Sequence, residues 1–325
     1  MLTDKAPRLP LAHLPTPLEE MPRLTQELGG PRLLIKRDDQ TGLATGGNKA
    51  RKLEFLMADA QAKGADVVLT VGGAQSNHAR QTAAAAARCG VRCILVLRKS
   101  GPSGWNGNLL LDDLLGAEVR WCGDRPREEV MAEVVEEERA VGHNPYPIPL
   151  GGSNAVGATG YVAAMEELMR QLAEREVKIN HILFASSSGG TQAGLIVGAR
   201  ALGFEGRVMG ISVDYSATQL CTTLQELVPQ TAAHLGLNLG FSVDDYLVND
   251  SYTGGGYGVV GEAEREAIRL MARSEGILLD PVYTGRALAG LIDLVRRGLF
   301  SRDETVLFWH TGGTPALFAY AQELL

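Results

Sequence analysis

The stretch H-I-L-F-A-S-S-S-G-G-T-Q-A-G-L, His181 to Leu195, passes from an apolar run through three serines and two glycines into a helical pattern. Its first residues, His181 to Ala185, read as a strand, and the residues from Thr191 to Leu202 as a helix. The turn between them gathers the hydroxyls of Ser187, Ser188 and Thr191 with the backbone N–H groups of Gly189 and Gly190 at a helix N-terminus. That combination suits a phosphate dianion, because free N–H groups and the positive helix end both favour negative charge. A plain turn with an N-cap is the other reading. The loop lacks the lysine of a Walker loop and the G-x-G-x-x-G spacing of a dinucleotide fingerprint.

Outward from this unit the same alternation repeats. Apolar runs predict strands at Val67 to Val71, Arg92 to Leu97, Glu118 to Cys122, Arg207 to Val213 and Thr305 to His310. Helical patterns lie at Asn77 to Cys89, Arg127 to Ala140 and Val156 to Arg175. Strands alternating with helices imply an α/β fold, with open, mostly parallel sheets covered by helices on both faces. At 325 residues the chain suits two such sheets better than one. The glycines of P-L-G-G-S-N-A-V-G, Pro149 to Gly157, mark a boundary. The expected division is a small domain over 46–157 and a larger one built from 1–45 and 158–325.

The bulk numbers narrow the partner. A formal net charge of -7 and 21% charged residues argue against nucleic acid, which needs a basic surface. No apolar run is long enough to span a membrane, and M-L-T-D-K-A-P-R-L-P lacks the apolar core of a signal peptide, so the cytoplasm is the expected compartment. Cys89, Cys93, Cys122 and Cys221 fit no metal-binding spacing and read as reduced thiols, with no metal expected. A small molecule remains.

Other loops carry the chemistry for one. In T-G-G-N-K-A-R-K-L-E-F-L, Thr45 to Leu56, two glycines and an asparagine deliver Lys49 to the first turn of an amphipathic helix, with Arg51 and Lys52 close behind. Cations are mildly unfavourable at that end, by about 0.3–1 kcal/mol each at an exposed site, so either they form a solvated basic face or something else sets their positions. V-G-G-A-Q-S-N-H-A-R-Q-T follows the strand Val67 to Val71 and offers Ser76, Asn77 and His78 at another helix start, as ligand contacts or as mere caps. D-P-V-Y-T-G-R-A brings Tyr283 and Thr284, W-H-T-G-G-T-P brings Thr311, and T-G-G-G-Y-G brings Tyr257. Together these turns point to a phosphorylated cofactor.

Taken in order, L-P-T-P-L-E, K-R-D-D, T-G-G-N-K-A-R-K-L-E-F-L, Q-S-N-H-A-R-Q-T, S-G-G-T-Q-A-G, D-P-V-Y-T-G and H-T-G-G resemble the pyridoxal-phosphate enzymes of the tryptophan-synthase-β type, fold type II. The closest branch holds D-cysteine desulfhydrase, L-cysteate sulfo-lyase and 1-aminocyclopropane-1-carboxylate deaminase. The match runs over nearly the whole chain. It implies that pyridoxal 5'-phosphate is held by the larger domain, that Lys49 carries it covalently, and that Arg51 and Lys52 tune that amine and meet anionic substrate. It further implies that Asn77 contacts the cofactor's ring oxygen, and that Ser187, Ser188, Gly189, Gly190 and Thr191 bind the phosphate. Thr311 joins the cofactor set, and Thr284 faces the ring nitrogen. Ser76, Asn77, His78, Tyr257 and Tyr283 meet a small amino-acid substrate, and Lys49, Ser76 and Tyr283 are the candidates for moving the Cα proton. A homodimer is the family expectation.

One departure is informative. The cyclopropane deaminases carry a glutamate where this chain has Thr284, and a hydroxyl cannot keep a ring nitrogen protonated as a carboxylate does. The weaker electron sink suits β-elimination of a good leaving group. Desulfhydration of D-cysteine to pyruvate, ammonia and hydrogen sulfide therefore ranks first, sulfo-lyase activity second and ring opening third. A non-catalytic cofactor carrier is the rival from another class, and the hydroxyl-bearing residues beside Lys49 argue against it.

Overall fold

The computed structural model describes residues 1–102 and 104–325. Among these, ten strands build two sheets: β1 (Leu18–Glu20), β2 (Arg32–Arg37), β3 (Val67–Gly73), β4 (Arg92–Arg98), β5 (Glu118–Trp121), β6 (Pro145–Ile148), β7 (His181–Ser186), β8 (Arg207–Ser212), β9 (Leu247–Asn249) and β10 (Thr305–His310). The larger sheet has the order β1-β2-β10-β7-β8-β9 and the smaller β5-β4-β3-β6. Every neighbouring pair is parallel except β1 with β2.

Continuous apolar runs such as V-V-L-T-V form these strands because helices cover both faces, and all seven residues of β3 are buried. On one face of the larger sheet the helices Ala155–Arg175, Gly190–Leu202 and Ala217–His234 close a core around Phe184, Leu195 and Trp309. On the other, Glu262–Glu275 and Thr284–Arg296 pack over Ile35, Leu183 and Phe308. The smaller sheet is covered by Lys49–Ala62 and Asn77–Cys89 on one side and by Arg127–Ala140 on the other.

Four strands escape the sequence patterns. β6, P-Y-P-I, carries two prolines, which lack a donor for a central ladder, and it lies at the edge of its sheet. β1 and β9 are three-residue edge strands. β2 ends in Lys36 and Arg37, yet Lys36 is fully buried. The reason is a buried ionic cluster. Lys36 pairs with Glu167, and Arg51 spans Asp38 at 2.8 Å and Glu167 at 2.9 Å. Tyr161 and Trp309 donate to Asp38 at 2.6 and 2.8 Å. The cluster fastens the helix that begins at Lys49 to β10 and to the helix Ala155–Arg175.

Among the described residues no helix is long and apolar enough to cross a membrane.

Candidate active site

The carboxyl ends of β3 and β7 open onto one cavity of about 320 Å³ between the two sheets, where ligands of open parallel sheets sit. Its wall brings together Ser76, Asn77 and His78 from the loop after β3 with Ser187, Ser188, Gly189 and Thr191 from the loop after β7. Lys49, Tyr257, Tyr283 and Thr311 of the expected set join them. Gly190 and Thr284 do not line it.

Lys49 and Lys52 stand one helical turn apart and both face this space. Lys52 is fully buried, and its Nζ donates to Gly151 O at 3.1 Å and Ser153 Oγ at 3.3 Å. Lys49 is half-buried by accessible surface, because its side chain opens onto the cavity and protein surrounds it elsewhere. Burial lowers the Lys49 amine to about 8, a hydrogen bond with Lys52 opposing the shift. Burial, and then the charge of Lys49, lower Lys52 well below the ordinary lysine value. No carboxylate acts on either. Buried cations without counter-charge are costly, so this cavity is built for an anion.

Arg51 does something different from its neighbours. It turns away from the cavity into the buried cluster with Asp38 and Glu167, so it neither tunes the amine nor meets substrate. The basic helix start is thus not a solvated face, since Arg51 and Lys52 are both buried.

The loop after β7 fits a phosphate. Gly189 adopts φ +80°, which turns the chain into the helix Gly190–Leu202. A Cβ on Gly190 would lie 2.6 Å from Ser153 Oγ and 2.8 Å from Lys52 Nζ, so only glycine leaves the cradle open. The Gly190 N–H donates to Ser153 Oγ at 3.1 Å, and the Ser153 and Ser188 hydroxyls meet at 2.8 Å. Ser187 gives its proton to Asp214 at 2.9 Å, while Thr191 Oγ1 accepts from Asn48 at 3.0 Å.

Around the rest of the wall the hydroxyls have fixed roles. Ser76 caps the helix Asn77–Cys89 by accepting from the Ala79 N–H at 3.1 Å, which leaves its own proton free. Tyr257 and Tyr283 share a hydrogen bond of 2.7 Å. Burial pushes Tyr257 up to about 12 and Tyr283 well above its ordinary value, so both stay protonated at neutral pH. Thr70 gives its proton to Ile148 O, so His78 must donate from Nε2 to Thr70 Oγ1 at 2.9 Å. Its Nδ1 is then an acceptor, with no partner among the described residues. Burial, Lys49 and Lys52 hold the ring neutral. His78 therefore offers no charge to a carboxylate. Thr284 is fully buried and gives its proton to Asp280 Oδ1 at 2.8 Å.

Sequence reasoning missed Ser153, Gly151 and Asn48, and also Arg98, Arg127 and Asp214, which reach the same wall. The first two lie in P-L-G-G-S-N, read above as a boundary. It follows β6 and precedes a helix, the placement that marked the other loops, but β6 itself was not legible.

Comparison with known proteins supplies the family. Residues 9–312 match the model of the pyridoxal-phosphate-dependent enzymes. This chain belongs to that family. A D-cysteine desulfhydrase of Klebsiella pneumoniae (strain 342) is 45% identical to the enzyme over 325 residues, covering 98% of this chain and 97% of the relative. A crystal structure of an ACC deaminase homologue superposes with a TM-score of 0.92 at 42% identity, covering 99% of this chain and 97% of that one. Threonine deaminase isoform 2 from Solanum lycopersicum has a TM-score of 0.65 at 18% identity, over 93% of this chain and 80% of its own, which is likeness of fold alone. The enzyme is a fold type II lyase that uses pyridoxal 5'-phosphate, and the buried, unpaired lysines beside a glycine cradle are the charge and space that cofactor requires.

Proposed function

We propose that the enzyme cleaves D-cysteine, with one water, to pyruvate, ammonia and hydrogen sulfide. The observation that carries this reading is the Lys49 amine, lowered to about 8 and set in one cavity with Ser76 and the Tyr257–Tyr283 pair. The 45% identity to a D-cysteine desulfhydrase supports it.

In this reading Lys49 holds the cofactor covalently. Lys52 and the N–H groups of the Ser187–Thr191 loop hold its phosphate, with Asn77 at the ring oxygen and Thr311 beside it. Bound there, pyridoxal phosphate supplies an electron sink for the charge left at the substrate's Cα. Ser76, whose proton is free, donates to the substrate carboxylate. Of the three candidates for the Cα proton, Lys49 is the base: burial lowers its amine and so enlarges the share free to accept a proton near neutral pH, whereas Tyr283 is held protonated and Ser76 acts as a donor. The two tyrosines use one proton between them and keep the other to give to the departing sulfur.

The sequence places a hydroxyl, not a carboxylate, after Tyr283, and Asp280 takes that hydroxyl's proton. Position 284 thus offers nothing to hold a ring nitrogen protonated, which favours a β-substituent that departs readily. L-Cysteate is the second reading, favoured by Arg98 and Arg127 on the cavity wall, whose cations suit a sulfonate. The division into domains 46–157 and 1–45 plus 158–325, the cytoplasm and a homodimer belong to the same proposal. The exposed Trp105, Leu114 and Phe318 offer apolar surface for a second copy.

Purified enzyme given D-cysteine is expected to release sulfide and pyruvate in equal amounts. Lys49→Ala should lower that rate by about 10³-fold or more while the fold persists. No pyruvate from the unmodified enzyme would overturn the reading.

A further inference from the structure

Asn77 is gripped from behind. Its Oδ1 accepts from Arg80 Nη1 at 3.0 Å and from Asn108 Nδ2 at 2.9 Å. The same Asn108 Nδ2 donates to the backbone carbonyl of Gln75 at 2.8 Å, and the Asn108 backbone N–H donates to Gln75 Oε1 at 2.8 Å. Arg80 also donates to Asn108 Oδ1 and, from Nη2, to Gly46 O at 2.8 Å. Arg80 and Asn108 are fully buried.

Two groups in this network have no choice of role. A backbone carbonyl only accepts and a guanidinium only donates. Asn108 must therefore turn its nitrogen to Gln75 and its oxygen to Arg80. Its second N–H then meets Asn77, which must present its oxygen to both donors. What remains is the Asn77 Nδ2, on the side of Gly313, where an added Cβ would lie 2.8 Å from it. Asn77 lines the cavity, and the group it has left to offer is a donor.

We propose that Asn108 is a positioning residue that locks Asn77 as a hydrogen-bond donor and so selects the ionised form of the cofactor's ring hydroxyl. The inference rests on the reading of Asn77 as the ring-oxygen contact. A neutral ring hydroxyl can also accept the Asn77 N–H, but the oxygen anion accepts it about twice as strongly, so a fixed donor there favours ionisation. Asn108 touches neither cofactor nor substrate in this account and acts only through Asn77.

The test is a titration of pyridoxal phosphate into cofactor-free protein, recording affinity, the absorbance spectrum without substrate, and the thermal midpoint. Asn108→Asp keeps the shape and the acceptor for Arg80 but cannot donate to Gln75 or Asn77 and sets an oxygen against the Asn77 oxygen, so that Arg80 alone is left to orient Asn77. The cofactor Kd should rise about tenfold, the loss of one charge-assisted hydrogen bond. Part of the near-visible band should also move to shorter wavelength. Asn108→Ser, too short to reach Asn77, should do the same and decides the matter alone if the aspartate variant does not fold. If both variants keep the parental Kd and spectrum while Asn77→Ala changes them, Asn108 is not a positioning residue. A lowered midpoint with an unmoved band marks a merely structural role and equally overturns it. If Asn77→Ala also changes nothing, the reading of Asn77 itself fails.

Discussion

Lys49 and Arg51 lie two residues apart on one helix and have opposite fates. Arg51 is neutralised by Asp38 and Glu167, while Lys49 meets no carboxylate and its amine falls to about 8. Cofactor-free protein should therefore form its covalent link with pyridoxal phosphate at a rate that rises through pH about 8 and then levels, not at the pH of an exposed lysine. Stopped-flow absorbance reads this directly, and a rise continuing past pH 10 would contradict it. The stability consequence has a definite sign. Folding lowers the Lys49 value from 10.5 to about 8, so the unfolded chain binds more protons between those limits. Stability of the cofactor-free protein should rise by about 3 kcal/mol across that window relative to a Lys49→Met variant, as urea titrations at pH 7 and 10 would show.

At the scale of elements, the loop that opens the helix Gly190–Leu202 and the cluster that anchors the helix Lys49–Ala62 make separable predictions. Gly190→Val would drive a side chain into Ser153 and Lys52. It should weaken cofactor binding about tenfold or more while the apo fold persists, and unchanged affinity would move the phosphate elsewhere. Arg51→Met would leave Asp38 and Glu167 buried with less counter-charge and should cost about 3–5 kcal/mol by denaturant unfolding. A loss below about 1 kcal/mol would show that the cluster does not anchor the helix. Legibility differs in the same way. The helix Asn77–Cys89 is readable end to end, because Ser76 caps it and Gly90 stops it at φ +70°. β6 is not readable, because only its edge position makes P-Y-P-I tolerable. The glycine loops announced most of the site. The partners that aim its residues, Ser153 for Gly190 and Asn108 for Asn77, come from distant segments and carry no local signal. The resemblance sets Thr284 at the ring nitrogen, and nothing local in the sequence shows that its hydroxyl proton goes to Asp280, four residues back along the chain.

At the scale of the molecule, two mostly parallel sheets place the carboxyl ends of β3 and β7 across one cavity, so that neither sheet alone holds the site. Lys49, Ser76 and the tyrosine pair reach it from different segments, and what they do together is the central claim. The measurement that tests it most directly is a side-by-side kcat/KM for D-cysteine, L-cysteine, L-cysteate and 1-aminocyclopropane-1-carboxylate, followed as pyruvate, sulfide, sulfite and 2-oxobutyrate. The account predicts the highest value for D-cysteine, with sulfide equal to pyruvate. A preference for L-cysteate would keep the leaving-group argument and displace the substrate, whereas a clear preference for the cyclopropane acid would contradict the account.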